Sequence, residues 1–339
     1  MKKARSIIQI LFFLSIGIGV VVLFWIRMPE SEKENFIDSM RDARYPFIIL
    51  SMVFGITANY FRALRWGLLL QVFNYHPRKV NLFMGIMNMY FFNLLVPRLG
   101  EVTRCGVLKQ YEEIPMDKSL GSVVAERAMD VLVLLLMMAL AYVLQWDKVP
   151  VMIEHLVSLG NSQQAENLSE GGKFPWVAII GSATALLVTL TYLLRNHPRL
   201  GKVWKTVRNL GLGFWAGIRS IVQIKQKTRF LVYTGFIWFF YLAMTYVCFY
   251  AIPGLEASVL GTLTIMAAGS VAIILIPGGV GLFPIVVASS LSHDHLGAID
   301  NGTGLALGWL MWAAQIAMIL LVGALSFIML PLVNKKNKT

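Results

Sequence analysis

Six ionisable residues lie inside or against long apolar runs of this chain: Arg98, Glu101 and Arg104, which follow Pro97, and Glu126, Arg127 and Asp130. Charge within a membrane span is costly, so each such residue needs a partner, a water-filled cavity or a function. On a helix, Arg98, Glu101 and Arg104 are successive three-residue neighbours that share a flank and alternate in sign. Glu126 and Asp130 stand four apart on one helical face, where two carboxylates repel unless a cation intervenes. Arg127 can reach Asp130, and Arg104 is a candidate to bridge from the preceding segment. The six charges cancel, as a closed ion-pair network pinning two segments together would require. The same residues suit recognition. Guanidinium forks bind phosphate or carboxylate bidentately, and a helix starting at Pro97 presents an N-terminus that favours an anion. The two roles can coexist.

Little else in the sequence carries chemistry. No phosphate-binding loop, dinucleotide fingerprint, nucleophile elbow or zinc-protease motif is present, so no cofactor is expected. His293-Asp294-His295 has a metal-like spacing without a further ligand, and an external polar loop is the default reading; no metal is expected. Cys105 and Cys248 fall in a cytosolic and a membrane-embedded position, so no disulfide is expected. Asn167-Leu168-Ser169 and Asn301-Gly302-Thr303 match the glycosylation pattern. An intramembrane enzyme using Glu126 or Asp130 as a general base would need a nucleophile or a metal, so enzyme activity is not expected.

The elements that position these residues are membrane helices. The chain has 339 residues, 57% of them hydrophobic and 14% charged, against roughly half and a quarter in soluble domains. Its clearest apolar runs are 6–26, 46–61, 131–145, 175–194, 230–251 and 303–331. Most approach the roughly 20 residues a helix needs to cross a hydrocarbon core, and 46–61 and 131–145 must borrow flanking residues. Two further apolar blocks, 81–97 and 257–291, are broken by Pro and Gly. Backbone groups in lipid must be satisfied within the segment, so the spans are helices, and the short alternating strands of a barrel are missing. The first run follows Lys2, Lys3 and Arg5, exceeds a signal core and lacks a cleavage site before Arg27, so it reads as a retained first helix.

The formal net charge of +12 would point to nucleic acid in a soluble protein, but its placement gives a better account. Residues 195–229 hold many Lys and Arg and no acidic residue, and no Lys or Arg follows until Lys335. That bias puts 195–229 and both termini in the cytosol, in a multi-pass protein of the plasma (inner) membrane, with no nucleic-acid partner. Trp204, Phe214, Trp215 and Ile218 recur among the cations, which fits a helix lying on anionic lipid headgroups as well as a solvated loop that fixes topology.

These placements fix the parity of the rest. The segment 27–45 is external, 46–70 returns inward, and 119–145 runs outward to the external stretch 147–173. Residues 79–119 must then start and end in the cytosol, as a re-entrant hairpin turning at Pro97 and Gly100. By the same parity 257–291 enters and leaves from outside, broken at Pro277-Gly278-Gly279-Val280-Gly281 and again at Pro284. The expected fold is therefore all-α and polytopic: about six spans plus two oppositely oriented broken hairpins, in one integral membrane domain over 1–339. Half 1 covers about 46–145 and half 2 about 230–331, joined through the basic connector 195–229. This is the pattern of an inverted repeat, whose site lies near the midplane where the breaks meet.

Asn93-Leu-Leu-Val-Pro97-Arg98-Leu-Gly100-Glu101-Val-Thr-Arg104, then Glu126-Arg127-Ala-Met-Asp130, resembles the signature of the lysylphosphatidylglycerol synthase transmembrane region, a flippase-like family. Ile276-Pro277-Gly278-Gly279-Val280-Gly281 resembles its second motif, and Arg65-Trp66 is also similar. The resemblance implies movement of a lipid across the bilayer, in some members an aminoacylated phosphatidylglycerol. Those members carry a soluble synthase domain, which this chain, ending at Thr339, is not expected to have. The expected function is thus transport of a polar or anionic phospholipid by a flippase or scramblase. Arg98, Arg104 and Arg127 would meet the headgroup, held by Glu101, Glu126 and Asp130. A non-catalytic membrane partner of a soluble enzyme is the alternative, and a homo-oligomer is compatible with either.

Overall fold

The structure is a computed structural model that describes residues 19, 22, 24–26, 28–96, 99–144, 223–291 and 299–335. Its regular elements there are all helical: α1 (Glu30–Arg41), α2 (Tyr45–Gln71), α3 (Lys79–Leu95), α4 (Leu99–Glu112), α5 (Met116–Leu144), α6 (Lys227–Cys248), α7 (Val259–Leu275), α8 (Leu282–Leu291) and α9 (Asn301–Val333). Short 3₁₀ turns at Phe249–Ala251 and Pro277–Gly279 follow α6 and α7. Among the described residues α2, α9 and α6 with its 3₁₀ turn are long and apolar enough to cross a membrane. Leu135, Leu136, Val143, Leu321, Leu325 and Ile328 are more than half exposed, as suits side chains that face lipid. The protein is an integral membrane protein. The predicted span 175–194 lies outside the described residues, as does most of 6–26.

Both predicted breaks are present, one on each side of the sequence centre. Helices α3 and α4 pack on each other as an antiparallel pair, with Gly100 tucked against α3. The Gly100 N–H donates to Asn93 Oδ1 at 2.8 Å, and a Cβ at Gly100 would collide with the Met89 carbonyl. Pro97 itself lies outside the described residues. In the second hairpin Gly278, Gly279 and Gly281 take φ of 78°, 66° and 74°, a left-handed run open to glycine at little cost. Trp312 Nε1 donates to the Gly278 carbonyl at 2.8 Å and fastens this break to α9. Pro284 corrects the expectation of a further break: it sits within the first turn of α8, where a missing N–H has no partner to lose. The segment 27–45, expected as a polar stretch, contains α1. Its acidic first turn (Glu30, Glu32) and Arg41 in its last turn complement the helix dipole.

Helix α9 organises the bundle. At its start Asp300 Oδ1 caps the Thr303 N–H at 2.9 Å, and Asn301 Nδ2 donates to Glu32 Oε1 of α1 at 3.2 Å. At its far end Asn334 and Asn81 exchange amide hydrogen bonds at 3.0 and 3.1 Å. The base of the α3/α4 hairpin therefore lies at the end of α9, whereas α8 ends beside its start, with Gly304 against Ala288 and Gly308 against Pro284. Phe91 packs at Gly323, a register that carries the end of α3 to mid-α9, near the level where Trp312 holds Gly278. Helices α2 and α6 run antiparallel, Arg65 facing Thr234 and Tyr241 facing Asn59. The packing pattern also repeats. Helices α3 and α9 pack as α7 and α5 do, α4 on α5 as α8 on α9, and α2 on α5 as α6 on α9.

The close approach of α8 to α9 sets a stability test. A Cβ at Gly308 would lie 2.6 Å from Pro284 Cα, a backbone atom that cannot move aside alone. Gly308→Val should destabilise the protein by roughly 1–3 kcal/mol, the usual cost of overpacking, seen as earlier thermal unfolding in mild detergent. Gly235→Ala, where nothing lies within 4 Å of the new Cβ, should unfold as the wild type does.

Candidate functional site

The charged cluster joins three helices. Glu126 and Asp130 project from one face of α5. Arg104 of α4 donates to Glu126 Oε2 at 2.8 Å, with both side chains fully buried. From α2, Arg65 Nη2 and Arg62 Nη2 each reach Asp130 at 2.5 Å. Arg62 Nε is also 3.3 Å from Glu126 Oε1 and Arg65 Nη2 3.8 Å from it, within ion-pair range but not aligned as hydrogen bonds. The α2 helix can supply both cations because Arg62 and Arg65 are three apart and share a flank. Three guanidiniums thus face two carboxylates, leaving an excess of one positive charge. Arg104 stacks over Trp66 with its Cζ 4.7 Å from the ring centroid, and Trp66 Nε1 donates to Ser122 Oγ at 2.8 Å. These contacts fix Arg104 in one orientation. A separate pair, Arg127 Nη2 to Glu101 Oε1 at 2.8 Å, sits at the edge with side chains 42% and 28% exposed.

Beside this network lies a cavity of about 470 Å³, within the usual size range of a small-molecule site and bounded by helices of both halves. Its polar lining includes Asn59, Arg62, Tyr90, Arg127, Asp130 and Tyr241 at the charged end, with Thr245, Ser270 and Gln315 elsewhere. Met244, Met266, Met311 and Met318 form much of its apolar wall. Unbranched thioethers fill irregular space and re-pack readily, so this wall can adapt to differently shaped apolar chains. Tyr90 Oη accepts from Arg62, and Tyr241 Oη donates to Asn59 Oδ1 at 3.5 Å, so the polar lining is itself partly crosslinked. Trp238 Nε1 in the same lining is buried without a hydrogen-bond partner. Such a group costs roughly 1–3 kcal/mol when left unpaired.

Of the six residues expected to form the site, Arg127 and Asp130 line the cavity. Arg104 and Glu126 do not line the cavity: both are fully buried and pair with each other, Arg104 bridging from the hairpin to α5. Glu101 pairs with Arg127, and Arg98 lies outside the described residues. Arg127 was expected to reach Asp130 and instead turns to Glu101. The cations that hold Asp130 are Arg62 and Arg65, neither of them among the six expected, Arg65 having entered through the family resemblance. Their spacing on one flank of an apolar helix was the signal that could have placed them here. The cytosolic headgroup contact expected of 195–229 lies largely outside the described residues, as do His293, Asp294 and His295. Among the described residues no cluster of metal-ligating side chains occurs. Both cysteines are free and buried. The family described as lysylphosphatidylglycerol synthase TM region matches residues 12–323. No curated protein and no solved structure matches the chain.

The two ion pairs should answer mutation differently. Arg104→Ala leaves Glu126 short of a buried partner and should destabilise by about 3–5 kcal/mol. Arg104→Met with Glu126→Leu should recover most of that loss, because neither charge then remains buried. Arg127→Ala breaks a pair that solvent reaches and should change stability by about 1 kcal/mol or less. Unfolding of the purified variants in mild detergent measures all three.

Proposed function

We propose, since the chain belongs to the lysylphosphatidylglycerol synthase TM region family, that it moves a polar or anionic phospholipid across the membrane as a flippase or scramblase. The observation that supports this reading most is the amphipathic cavity, with cations at one end and a methionine wall elsewhere. A phospholipid has the matching division: a charged headgroup joined to flexible apolar chains. Arg62 and Arg127 meet the anionic headgroup, and Asp130 can meet a cationic part of it, as an aminoacylated lipid would present. Arg104 and Glu126 support these residues from behind, and Glu101 holds Arg127. Arginine suits this role because its fork engages phosphate oxygens bidentately.

The architecture is consistent with transport. The two hairpins approach the level of the cavity from opposite ends of α9, and the packing pattern of one half repeats in the other. We read this as an inverted repeat with about six spans, set in the plasma membrane with both termini cytoplasmic. Alternating exposure of a fixed site is the behaviour such repeats support. The sequence has no ATP-binding motif, so movement would be passive or driven by an ion gradient.

Transport of fluorescent phospholipids in reconstituted vesicles tests the reading. Wild-type protein should move phosphatidylglycerol faster than protein-free vesicles do. Hydrogen bonds to charged groups contribute about 1.5–3 kcal/mol, so Arg127→Ala should slow transport about tenfold or more while remaining folded. Rates equal to protein-free vesicles across anionic, zwitterionic and aminoacylated lipids would count against transport. That result would favour a non-catalytic membrane partner of a soluble lipid- or glycan-modifying enzyme.

A further inference from the structure

One buried donor in the cavity lining, Trp238 Nε1, lacks a hydrogen-bond partner, and the register of α2 and α6 brings it to the level of Arg62. Arg65 faces Thr234 at 3.4 Å, and Tyr241 faces Asn59 at 3.5 Å. The antiparallel pair therefore advances in step, and Arg62, midway between Asn59 and Arg65, lies opposite Trp238. Both residues line the cavity; Trp238 Nε1 is buried without a hydrogen-bond partner, whereas Arg62 Nε, though not aligned as a hydrogen bond, stands 3.3 Å from Glu126 Oε1. The Arg62 side chain is only 8% exposed, and its charge is shared with Asp130 and Glu126. The Trp238 ring packs edge-on against Tyr241, with centroids 6.2 Å apart and planes at 84°, which restrains where its N–H can point.

An indole N–H only donates, and a guanidinium only donates. A group that meets both must accept hydrogen bonds and favour positive charge. A phosphodiester does so through its two nonbridging oxygens, and a bare apolar chain does not. We propose that Trp238 is a specificity-determining residue, whose indole N–H, beside the Arg62 guanidinium, seats a phosphate group at the charged end of the cavity. The proposal rests on the lipid-transport reading and adds to it the residue that recognises the phosphate itself. A neutral donor is useful here because Arg62 is already shared with Asp130 and Tyr90. Trp238 adds a contact without adding a further buried charge.

The test compares wild type, Trp238→Phe and Arg62→Lys in mild detergent, titrated with short-chain phosphatidylglycerol, diacylglycerol and inorganic phosphate. Phenylalanine keeps an aromatic ring against Tyr241 and removes only the donor with part of the ring. Loss of one donor to a charged acceptor should weaken phosphatidylglycerol binding about tenfold, with diacylglycerol binding unchanged. In ¹⁵N-tryptophan-labelled protein, the indole signal that vanishes in Trp238→Phe should shift downfield with phosphatidylglycerol but not with diacylglycerol. A shift with inorganic phosphate alone would support the seat and assign it to free phosphate rather than to lipid. Undiminished phosphatidylglycerol binding in Trp238→Phe with no indole shift would overturn the role of Trp238. If Arg62→Lys were weakened in that case, the transport reading would stand. Equal binding by all three proteins would count against both.

Discussion

The architecture depends on one electrostatic constraint: α5 carries Glu126 and Asp130 on a single face inside the membrane protein. Two carboxylates at that spacing repel, and Glu126 is fully buried, where it cannot be hydrated. Cations must come from other helices, and they come from two directions, Arg104 from α4 and Arg62 with Arg65 from α2. Satisfying α5 therefore locks a spanning helix and a hairpin arm to it at once. Replacing such networks by apolar residues is often neutral for stability, so stability alone does not account for a network this large. Its geometry offers a second reason. Three guanidiniums against two carboxylates leave positive charge in excess, and the part of the network that borders the cavity includes Arg62 and Asp130.

The cavity joins two environments that a single element could not supply. Its charged end is built by half 1, and the helices of half 2 supply Met244, Met266, Met311 and Met318. Close glycine contacts shape this space. Gly55 lies where a Cβ would meet Met318 Sδ at 2.6 Å and Met244 Sδ at 3.0 Å, and Gly269 would meet the Phe283 ring at 2.6 Å. Side chains there would displace the flexible wall, so the small residues and the methionines together define the room available to an apolar chain.

Membrane class and both broken hairpins were legible in the sequence, because hydropathy and helix breakers act locally. Gly278, Gly279 and Gly281 illustrate this: each has the positive φ that its residue type permits. Pairing was not legible. Whether Arg127 turns to Asp130 or to Glu101 depends on how α4 lies against α5, and both partners fit the helix spacing. Arg62 and Arg65 were visible as charges, but their position near the end of α2 fits a topology marker equally well. Only the antiparallel packing of α2 on α5 brings them to Asp130. Asn59, Trp238 and Tyr241 carried no local signal, since single polar atoms in an apolar helix become informative only when the opposing helix is placed.

The repeat of packing between the halves is not matched by a repeat of chemistry. Hairpin α3/α4 is fastened at its base by polar groups: Asn81 to Asn334 in a buried pair, and Asn81 and the more exposed Arg78 to Glu112. Hairpin α7/α8 is fastened at its tip by Trp312 to the Gly278 carbonyl, and glycines stand where α9 approaches. A neutral hydrogen bond contributes only about 1 kcal/mol net, and apolar surfaces in lipid have no hydrophobic force holding them together. Movement of α3/α4 against α9 must break the Asn81–Asn334 amide pair, whereas movement of α7/α8 must release the Trp312 contact and re-pack small residues. The halves thus share a plan of contacts but resist displacement differently. A cavity enclosed by both inherits a fixed charged side and a more deformable apolar one.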